Sequence, residues 1–472
     1  MKSFIGKSIL LLGIAALGVG GITGCKKKKV NNDHELNIIC LNRGYGRDWI
    51  DAVKEKWEAE NPGYTVNLQA ESSADELINK DLYSRDNIDD LYIGCDKAWK
   101  TYALKGMLLE LDDLLEEEVD GVKVVDKVND EYDKSLVFNG HAYRLPWTSG
   151  VPGIYYNKAM FEKNGWTVPT TVADLVTLCS TIKSANVKVG DNPKATDYVK
   201  PFVYTGENMD YFDYAVFTWW GQLAGIDNVQ DYLKYQSAST WTSSNPGYVA
   251  LGNALREWWK IFGDSTNYVA NSKDWTNHIA QQNFYNGYAA MMINCDWLYN
   301  ETLKYTGGAN KFRDGFELAI MKTPLATGAP EANRNISYIV GEDQYFAIPK
   351  TTIKADLAKS FIKMMISDWG IKNFADKACG TLAYKSTQTI ETENEYTNSL
   401  IQYLNAAPNR FTNWSDSKLF LNGIIDVWTE NSLAPYSRIF NSSQTDPVTY
   451  YLNNELSSNA ASSYNKWVSQ AG

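Results

Sequence analysis

The stretch from residue 138 to residue 178 constrains the fold most, because its pattern predicts a chain that leaves one β-sheet and enters another. Asn139 and Gly140 are typical of a two-residue hairpin turn, and residues 141–145 alternate in polarity as a short strand does. Pro146 ends that strand, since proline has no amide hydrogen to give to a ladder. The residues that we predict to form a flexible hinge after it are Gly150, Pro152 and Gly153.

The second half of the same stretch predicts the order strand, helix, turn, helix. Residues 154–156 are typical of a buried strand, and Asn157 is placed to cap a helix over 158–163. Gly165 ends that helix, and Thr171 opens a second one whose apolar residues recur at helical spacing. The hinge is therefore expected to lead into a new α/β unit.

The residues before this stretch predict a first α/β unit. Residues 36–41, 64–68 and 89–93 are predicted strands, and an amphipathic helix with Trp49 and Trp57 on one face separates the first two. Strands that alternate with helices form parallel sheets, and the loops at the carboxyl ends of such strands are the natural ligand site. A chain of 472 residues is too long for one ordinary core and predicts at least two lobes.

The N-terminal residues are typical of an export signal. Lys2 and Lys7 precede an apolar run over residues 9–22, which is shorter than the about 20 residues that a membrane span needs. The run ends in the letters ITGC, which resemble a lipobox and imply cleavage before Cys25 and acyl chains on its sulfur. An uncleaved anchor helix is the alternative. Either way the body lies outside the cytoplasm, and the four lysines that follow lie beside anionic head groups.

Charge and cysteine spacing exclude several classes of function. A net charge of −11 disfavours nucleic acid as a partner, because polyanion binding needs a basic patch. The cysteines after Cys25 are odd in number and widely spaced, so we expect buried free thiols and no disulfide framework. The sequence has no Cys/His cluster with metal-site spacing, no phosphate loop and no hydrolase elbow. We therefore expect no metal, no cofactor and none of the usual catalytic signatures.

Three groups of residues recur in a familiar order and spacing. The first group is Asn139, Gly140, Tyr143, Pro146, Tyr155, Tyr156, Asn157, Lys158, Phe161, Gly165, Pro169 and Thr171. The second is Trp99, Ala103, Gly106, Leu108 and Leu111, and the third is Phe284, Gly287, Ala289, Ala290, Met291 and Trp297. Together they resemble the extracellular solute-binding proteins of family 1, the lipid-anchored sugar receptors of ABC importers. The chain departs from that pattern at Cys295 and Asp296, which stand where the family commonly has a glycine just before the tryptophan.

The resemblance implies an α/β fold of the periplasmic-binding-protein type II class, with two lobes joined by a hinge and a ligand cleft between them. The implied segments are a signal peptide (1–24), a lipidated cysteine and polar tether (25–35), lobe 1 (36–146), lobe 2 (147–335), a return to lobe 1 (336–383) and a C-terminal helical part of lobe 2 (384–472). The implied partners are a carbohydrate, the permease of an ABC importer, and a lipid bilayer reached through acylated Cys25.

The candidate ligand contacts combine aromatic rings with polar side chains. A sugar ring offers an apolar face bordered by hydroxyls, so its site needs indole or phenol platforms beside carboxylates, amides or arginine. The candidates are Arg43, Tyr45, Asp96, Trp147, Glu207, Tyr211, Trp219, Asp296, Trp297, Glu342 and Trp414. The resemblance assigns sugar stacking to Trp297, and it makes Glu207 and Tyr211 plausible contacts.

Several candidates also have a structural alternative. Asp96 and Asp296 are equally typical of helix caps, and Trp147 is equally typical of packing at a hinge. Trp219 and Trp220 are adjacent, so a helix points them about 100° apart and at least one of them belongs to the core.

Our hypothesis for the function is a monomeric two-lobe clamp that captures a carbohydrate, closes and docks on a membrane permease. A lipid-anchored glycoside hydrolase is the main alternative, and it needs two carboxyl groups roughly 5 to 10 Å apart across the sugar. A surface adhesin is a third class, which fits the anchor but not the hinge. Ligand turnover separates the first two classes, and closure on a small soluble ligand separates both from the third.

Overall fold

The protein is represented by a computed structural model that describes residues 32–84, 88–96, 98–191, 194, 196–303, 315–415, 417 and 435–471. The predicted signal peptide, Cys25 and the four lysines lie outside the described residues. Within these ranges, no helix is both long and apolar enough to cross a bilayer.

Strands and helices alternate along most of the described chain. The strands are β1 (Glu35–Leu41), β2 (Thr65–Glu71), β3 (Leu91–Cys95), β4 (Glu118–Val119), β5 (Val122–Lys123), β6 (Leu145–Pro146), β7 (Gly153–Asn157), β8 (Lys200–Val203), β9 (Ala289–Asn294), β10 (Leu318–Met321), β11 (Ile336–Tyr338), β12 (Gln344–Ala347) and β13 (Asn409–Phe411). The α-helices are α1 (Asp48–Glu60), α2 (Ala74–Leu82), α3 (Trp99–Leu104), α4 (Asp112–Glu116), α5 (Val124–Lys127), α6 (Lys158–Asn164), α7 (Val172–Ala185), α8 (Asp213–Ala224), α9 (Ile226–Leu233), α10 (Pro246–Phe262), α11 (Asn277–Tyr285), α12 (Leu298–Leu303), α13 (Ala355–Met365), α14 (Asp368–Ala378), α15 (Glu395–Ala406), α16 (Pro435–Phe440), α17 (Pro447–Tyr450) and α18 (Ser457–Ala471).

The first sheet has the strand order β2-β1-β3-β12-β6. β1 is parallel to β2 and to β3, as the alternation of strands and helices predicts. β12 is antiparallel to β3 and pairs Gln344 with Cys95. Because β12 enters the sheet in reverse, the residues just before it lie at the same edge as the residues just after β1 and β3.

The second sheet has the strand order β10-β7-β9-β8. β8 is parallel to β9, while β7 is antiparallel to both β9 and β10. Gly153 at the start of β7 pairs with Asn294 at the end of β9, so the chain enters this sheet at the carboxyl end of β9. Every residue of β9 is buried, which accounts for its nearly continuous apolar sequence.

Three segments of the described chain pass between the two sheets through one hydrogen-bonded junction. Gly150 and Val340 exchange two backbone hydrogen bonds, at 2.9 and 3.1 Å. Ser149 N donates to Thr381 O at 3.0 Å, and the Thr381 hydroxyl donates to Ser149 O at 2.6 Å. The connector that carries the predicted hinge residues is therefore bonded to both of the other crossings.

The strand predicted before Pro146 is shorter in the structure. β6 has two residues, of which Pro146 is the last, and His141 forms an isolated bridge with Phe138 across the predicted turn. Asn139 and Gly140 both have positive φ, 53° and 94°, as a tight hairpin turn requires. β6 tolerates its proline because it lies at the edge of the sheet.

The helix caps predicted after β7 are confirmed. Asn157 Oδ1 accepts a hydrogen bond from Met160 N at 3.1 Å, and Gly165 ends α6 with φ 65°. Thr171 Oγ1 accepts from Asp174 N, and Asp174 Oδ2 accepts from Thr171 N, both at 3.1 Å. These two reciprocal bonds form a complete capping box at the start of α7.

We expect Thr171→Ala to lower the free energy of unfolding by about 1 kcal/mol, because it leaves one N-terminal amide of α7 without its side-chain acceptor. Urea denaturation of the full chain measures this change. Thr177→Ala, on the exposed face of the same helix, is the matched control and should change stability by less than about 0.5 kcal/mol. Equal losses in the two variants would contradict the role of the cap.

Candidate functional site

The carboxyl ends of strands from both sheets face each other across a cleft. The loop after β1 carries Tyr45, and the loop after β9 carries Asp296 and Trp297. The Tyr45 hydroxyl donates a hydrogen bond to Asp296 Oδ1 at 2.9 Å. A Cβ atom added to Gly44 would lie only 2.5 Å from Cβ of Trp297, so only glycine fits there. The two loops are therefore in direct contact, and they belong to different lobes.

Trp297 forms an aromatic wall of this cleft. Its ring centroid lies 6.1 Å from that of Tyr45, 6.3 Å from that of Tyr211 and 6.0 Å from that of Tyr214, each in an edge-on arrangement. The indole is partly exposed and packs against the apolar cores of both lobes. A partly exposed indole that its neighbours hold in place is a suitable platform for a sugar ring.

Asp296 lies at the base of the cleft, where its carboxyl group is cut off from water. It is 1% exposed, and burial raises its pKa to about 6. Oδ1 accepts hydrogen bonds from the Tyr45 hydroxyl and, at 3.2 Å, from the Cys295 thiol, while Oδ2 has no hydrogen-bond partner among the described residues. Gly150 and Gly380, on two of the crossing segments, pack directly against this carboxyl group. In this arrangement Asp296 joins the two lobes at the hinge.

Carboxyl groups line the first lobe's side of the cleft. Asp75 Oδ1 accepts from Cys95 N at 2.8 Å, and Asp96 Oδ1 accepts from Ala98 N at 2.6 Å, a local bond that fits the capping alternative for Asp96. Burial, together with the charges of Asp75 and Asp343, raises the pKa of Asp96 to about 6. The carboxyl groups of Asp75 and Asp343 are thus close enough to Asp96 to affect its protonation.

Arg43 lies beside these acids at the rim of the cleft. Its Nε donates to Ser72 O at 2.8 Å, and its Nη2 lies 3.6 Å from Asp75 Oδ2. The side chain is 54% exposed, so the guanidinium group is accessible to a ligand.

Asp75 and Asp343 were missed by the prediction from sequence. Asp343 comes just before β12 and reaches the cleft because β12 runs antiparallel to β3. Asp75 follows β2, whose carboxyl end lies at the same edge as those of β1 and β3. The predicted end of the second strand could have pointed to Asp75 as a cleft residue. Asp343 could not be found in this way, because no local sequence pattern shows that β12 runs antiparallel to β3.

Glu342 and Trp414 belong to a neighbouring interlobe cluster. Glu342 Oε1 pairs with Arg144 Nη2 at 2.7 Å, and Oε2 accepts from the Thr412 hydroxyl at 3.4 Å. Burial raises the pKa of Glu342, and the Arg144 charge opposes that rise. Trp414 stacks on Trp99, with centroids 6.0 Å apart and planes 12° apart. Both oxygens of Glu342 therefore have protein partners in this conformation.

Two predicted tryptophan contacts lie in the cores instead of the cleft. Trp147 is 1% exposed, stacks on Trp49 at 5.5 Å and donates its indole N–H to Gly94 O at 3.1 Å. Trp219 is fully buried and donates its indole N–H to Pro324 O at 2.8 Å. Because each ring is covered and each N–H has a backbone acceptor, the structure corrects both predictions in favour of packing.

The remaining predicted contacts follow β8. Tyr211 is partly exposed and faces Trp297, so it shares the cleft. Glu207 is exposed, and its Oε2 accepts a hydrogen bond from Asn277 N at 3.1 Å, at the start of α11. Glu207 thus helps to cap a helix at the rim of the second lobe.

A groove of 1170 Å³ lies along the outer edge of β10. Its lining includes Tyr156, Tyr299 and Tyr396 together with lysine and glutamate side chains. Its described lining includes no tryptophan, and it lies beside a strand edge instead of at facing strand ends. We therefore place the candidate site in the cleft.

A surface cluster contains three side chains of the types that bind metal ions. The potential ligand atoms of Glu110, Asp112 and His141 lie within 4.8 Å of one another. His141 Nδ1 lies 2.8 Å from Asp112 Oδ2, and both side chains are nearly half exposed. The hydrogen bond between these two groups accounts for the cluster without a bound ion.

Comparison with known families shows the family to which the chain belongs. The profile described as bacterial extracellular solute-binding protein matches residues 43–370. The chain belongs to this family. Its members act outside the cytoplasm, so the family also gives the location of the protein.

Related sequences match over only part of their length. The Multiple sugar-binding protein of Streptococcus mutans is 26% identical over 182 residues, which cover 38% of this chain and 41% of that protein. The Diacetylchitobiose binding protein NgcE of Streptomyces coelicolor is 26% identical over 137 residues, which cover 29% of each protein. The chain therefore spans less than half the length of these curated relatives.

Solved structures match over nearly the whole chain and confirm the predicted fold. The apo-form of RafE from Streptococcus pneumoniae superposes with a TM-score of 0.62 at 17% identity, over 93% of this chain and 97% of that one. A chitin oligosaccharide binding protein gives a TM-score of 0.64 at 16% identity, over 93% and 98%. The solute-binding protein thus has the α/β periplasmic-binding-protein type II fold.

We expect the stability of this solute-binding protein to depend on pH through Asp296. The folded chain holds the Asp296 proton up to about pH 6, whereas the unfolded value is 3.8. The native state therefore binds more protons in this window, and the free energy of unfolding falls as pH rises through it, by about 3 kcal/mol for this group, with roughly half of that loss above pH 5. Urea denaturation at pH 5 and pH 8 measures the difference.

Asp296→Asn should remove most of that pH-dependent loss, because the amide keeps the acceptor for Tyr45 and carries no charge. Asp227→Asn, at an exposed position in α9, is the control and should leave the pH dependence unchanged. The same pH dependence in Asp296→Asn and the unaltered chain would disprove the assignment.

Proposed function

We propose that this protein is an extracellular receptor that captures a carbohydrate between its two lobes and delivers it to the permease of an ABC importer. The observation that carries the proposal is the partly exposed Trp297, flanked by Tyr211 and placed in a cleft that Asp96 and Asp343 also line. An aromatic platform with carboxylates in the same cleft matches the apolar face and the hydroxyl rim of a pyranose.

The structural neighbours support an oligosaccharide as the ligand class. One is RafE in complex with raffinose, with a TM-score of 0.61, and another is GacH of Streptomyces glaucescens, studied with acarbose, with a TM-score of 0.60. These two ligands belong to those proteins. For this chain we propose an oligosaccharide because the cleft offers more than one aromatic ring along its second-lobe wall.

Closure of the lobes supplies the signal that the permease reads. A ligand shifts an open–closed equilibrium only through a difference in its affinity for the two states, so both lobes must contribute contacts. Arg43 and Asp96 supply them from the first lobe, and Trp297 and Tyr211 supply them from the second. The hinge at Gly150, Pro152 and Gly153 lets the lobes rotate about the hydrogen-bonded junction.

We further propose that the receptor is a monomer held at the outer face of the cytoplasmic membrane. In this account residues 1–24 are removed and acyl chains on Cys25 insert into the bilayer. The four lysines that follow add an attraction for anionic lipid head groups. The family's extracellular location supports this placement.

The receptor is proposed to bind its ligand without turnover. A glycoside hydrolase needs one carboxyl group on each side of the scissile bond, one of them with a raised pKa. Asp96 has such a raised pKa, but its acidic neighbours Asp75 and Asp343 lie at the same edge of the first sheet. Asp296 of the second lobe also has a raised pKa, but it is 1% exposed and bonded to the Tyr45 hydroxyl. The family and its structural neighbours are receptors, which supports binding alone.

We expect Trp297→Ala to weaken oligosaccharide binding by roughly thirtyfold, equal to about 2 kcal/mol, because it removes the stacking platform. Calorimetric titration of the detergent-solubilised full chain with raffinose, acarbose and a chitin oligosaccharide measures the affinity. Chromatography of each mixture afterwards tests whether the sugar is intact.

Trp369→Ala is the matched control, since Trp369 is a surface tryptophan of α14 that is 38% exposed. It should change the dissociation constant by less than twofold. Equal affinity of Trp297→Ala and the unaltered chain would refute the site. A cleaved sugar would favour the hydrolase. If none of the three sugars binds, the oligosaccharide receptor is contradicted.

A further inference from the structure

A segment near the C-terminus is fixed to the second lobe. This segment, Asn409–Ser415, which we call the strap, begins with β13, and β13 pairs with β11 in parallel. Phe411 is buried in the second lobe's core, where its ring fills the space that a side chain at Gly221 would need. The Ser415 hydroxyl donates to Leu233 O at 2.5 Å, at the end of α9. Both ends of the strap are thus tied to elements of the second lobe.

The same strap also contacts the first lobe, through aromatic stacking and a cation–π interaction. Trp414 stacks on Trp99 and meets Phe138 edge-on at 6.2 Å. Lys100 Nζ lies 4.0 Å from the centroid of the Trp414 ring and donates to Ser415 O at 2.7 Å. Lys100 is only 4% exposed, so water screens this contact little. Ser415 therefore binds the first lobe with its carbonyl and the second lobe with its hydroxyl.

Two further polar contacts join the strap to groups outside the second lobe. Arg410 Nη2 pairs with Glu131 Oε2 at 3.1 Å, and the Glu131 side chain is 1% exposed. The Thr412 hydroxyl donates to Glu342 Oε2, and Glu342 is paired with Arg144, the residue just before β6. Buried charged pairs cost several kcal/mol to separate because each partner is left unpaired out of water.

We infer that the strap, Asn409–Ser415, is an interlobe latch that adds a ligand-independent stabilisation to the closed state, with Trp414 and Lys100 as its main contacts. The inference rests on the proposed two-lobe function. The three crossings permit rotation of the lobes. The strap begins beside the Val340 crossing, where Phe411 O accepts from Ile339 N, and it reaches Trp99 and Lys100 of α3, which are not part of any crossing. Opening must break its contacts with one lobe. The β13 ladder and Phe411 fix it to the second lobe, so the contacts that break are those with the first lobe, above all the contacts with Trp99 and Lys100.

The latch sets the open–closed equilibrium before any ligand arrives. Its contacts exist only when the lobes are together, so they stabilise the closed state. The lobes are also together in the ligand complex, so the same contacts stabilise that complex. Weakening the strap at Lys100, which is not a candidate ligand contact, should then lower affinity without changing any group that touches the ligand. Most of that change should be in the dissociation rate, since the latch slows reopening.

Hydrogen exchange of the unliganded full chain, followed by mass spectrometry, tests the latch. The informative segments are 42–47 and 295–300, which meet across the cleft at Gly44 and Trp297 and do not include the strap's contacts. Trp414→Ala should speed exchange in both segments by roughly tenfold, since the stacked pair and the cation–aromatic contact are both lost. Lys100→Met, which keeps the aliphatic stem, should act in the same direction. Trp414→Phe should lie between Trp414→Ala and the unaltered chain, and Trp369→Ala should leave both segments unchanged.

Faster exchange confined to 99–104 and 409–415 in Trp414→Ala and Lys100→Met would overturn the inference, because it would show a local packing role. A matching titration with acarbose should give a dissociation constant about tenfold higher for Trp414→Ala. If acarbose and the other sugars bind to no variant and not to the unaltered chain, the proposed function fails, while the exchange of the unliganded chain still decides whether the strap holds the lobes together.

Discussion

The structure depends on one junction, at which Gly150 bonds to Val340 and Ser149 bonds to Thr381. These bonds bring the chain's crossings side by side, so each sheet begins and ends near the same point. The carboxyl ends of β1 and β3 then face the carboxyl ends of β8 and β9. A ligand site between lobes is a consequence of this topology, since strand-end loops from both sheets must meet.

Desolvation gives the cleft its chemical character. Burial raises the pKa of both Asp96 and Asp296 to about 6, but the two carboxyl groups have different surroundings. Asp96 lies among other acids on one lobe, where hydroxyl donors of a ligand would satisfy it. Asp296 lies between the lobes against glycine backbone and the Tyr45 hydroxyl, where a protein group already satisfies one of its oxygens. The same residue type therefore joins the lobes at Asp296, while at Asp96 it is a proposed ligand contact.

Local sequence signals predicted the parts of the fold that local forces determine. The turn at Asn139, the caps at Asn157 and Thr171, and the parallel pairing of β1 with its neighbours follow from short-range chemistry and periodicity, and the structure confirms them. The position of Trp297 followed from a family resemblance. The burial of Trp147 and Trp219 was not predicted. The local sequence around a tryptophan is the same whether its ring packs in a core or lines a cleft, so only the packing partners distinguish the two. Asp343 was missed because only the antiparallel entry of β12 brings it to the cleft.

The central claim is that a sugar binds between the lobes, on Trp297 and beside the carboxyl groups of the first lobe. A crystal structure of the full chain grown with an oligosaccharide that calorimetry shows to bind tests this claim most directly. The account predicts an intact sugar with one ring stacked on Trp297 and hydroxyls bonded to Asp96 or Asp343. A sugar found in the groove along β10, or one bound without contact to Trp297, would contradict it.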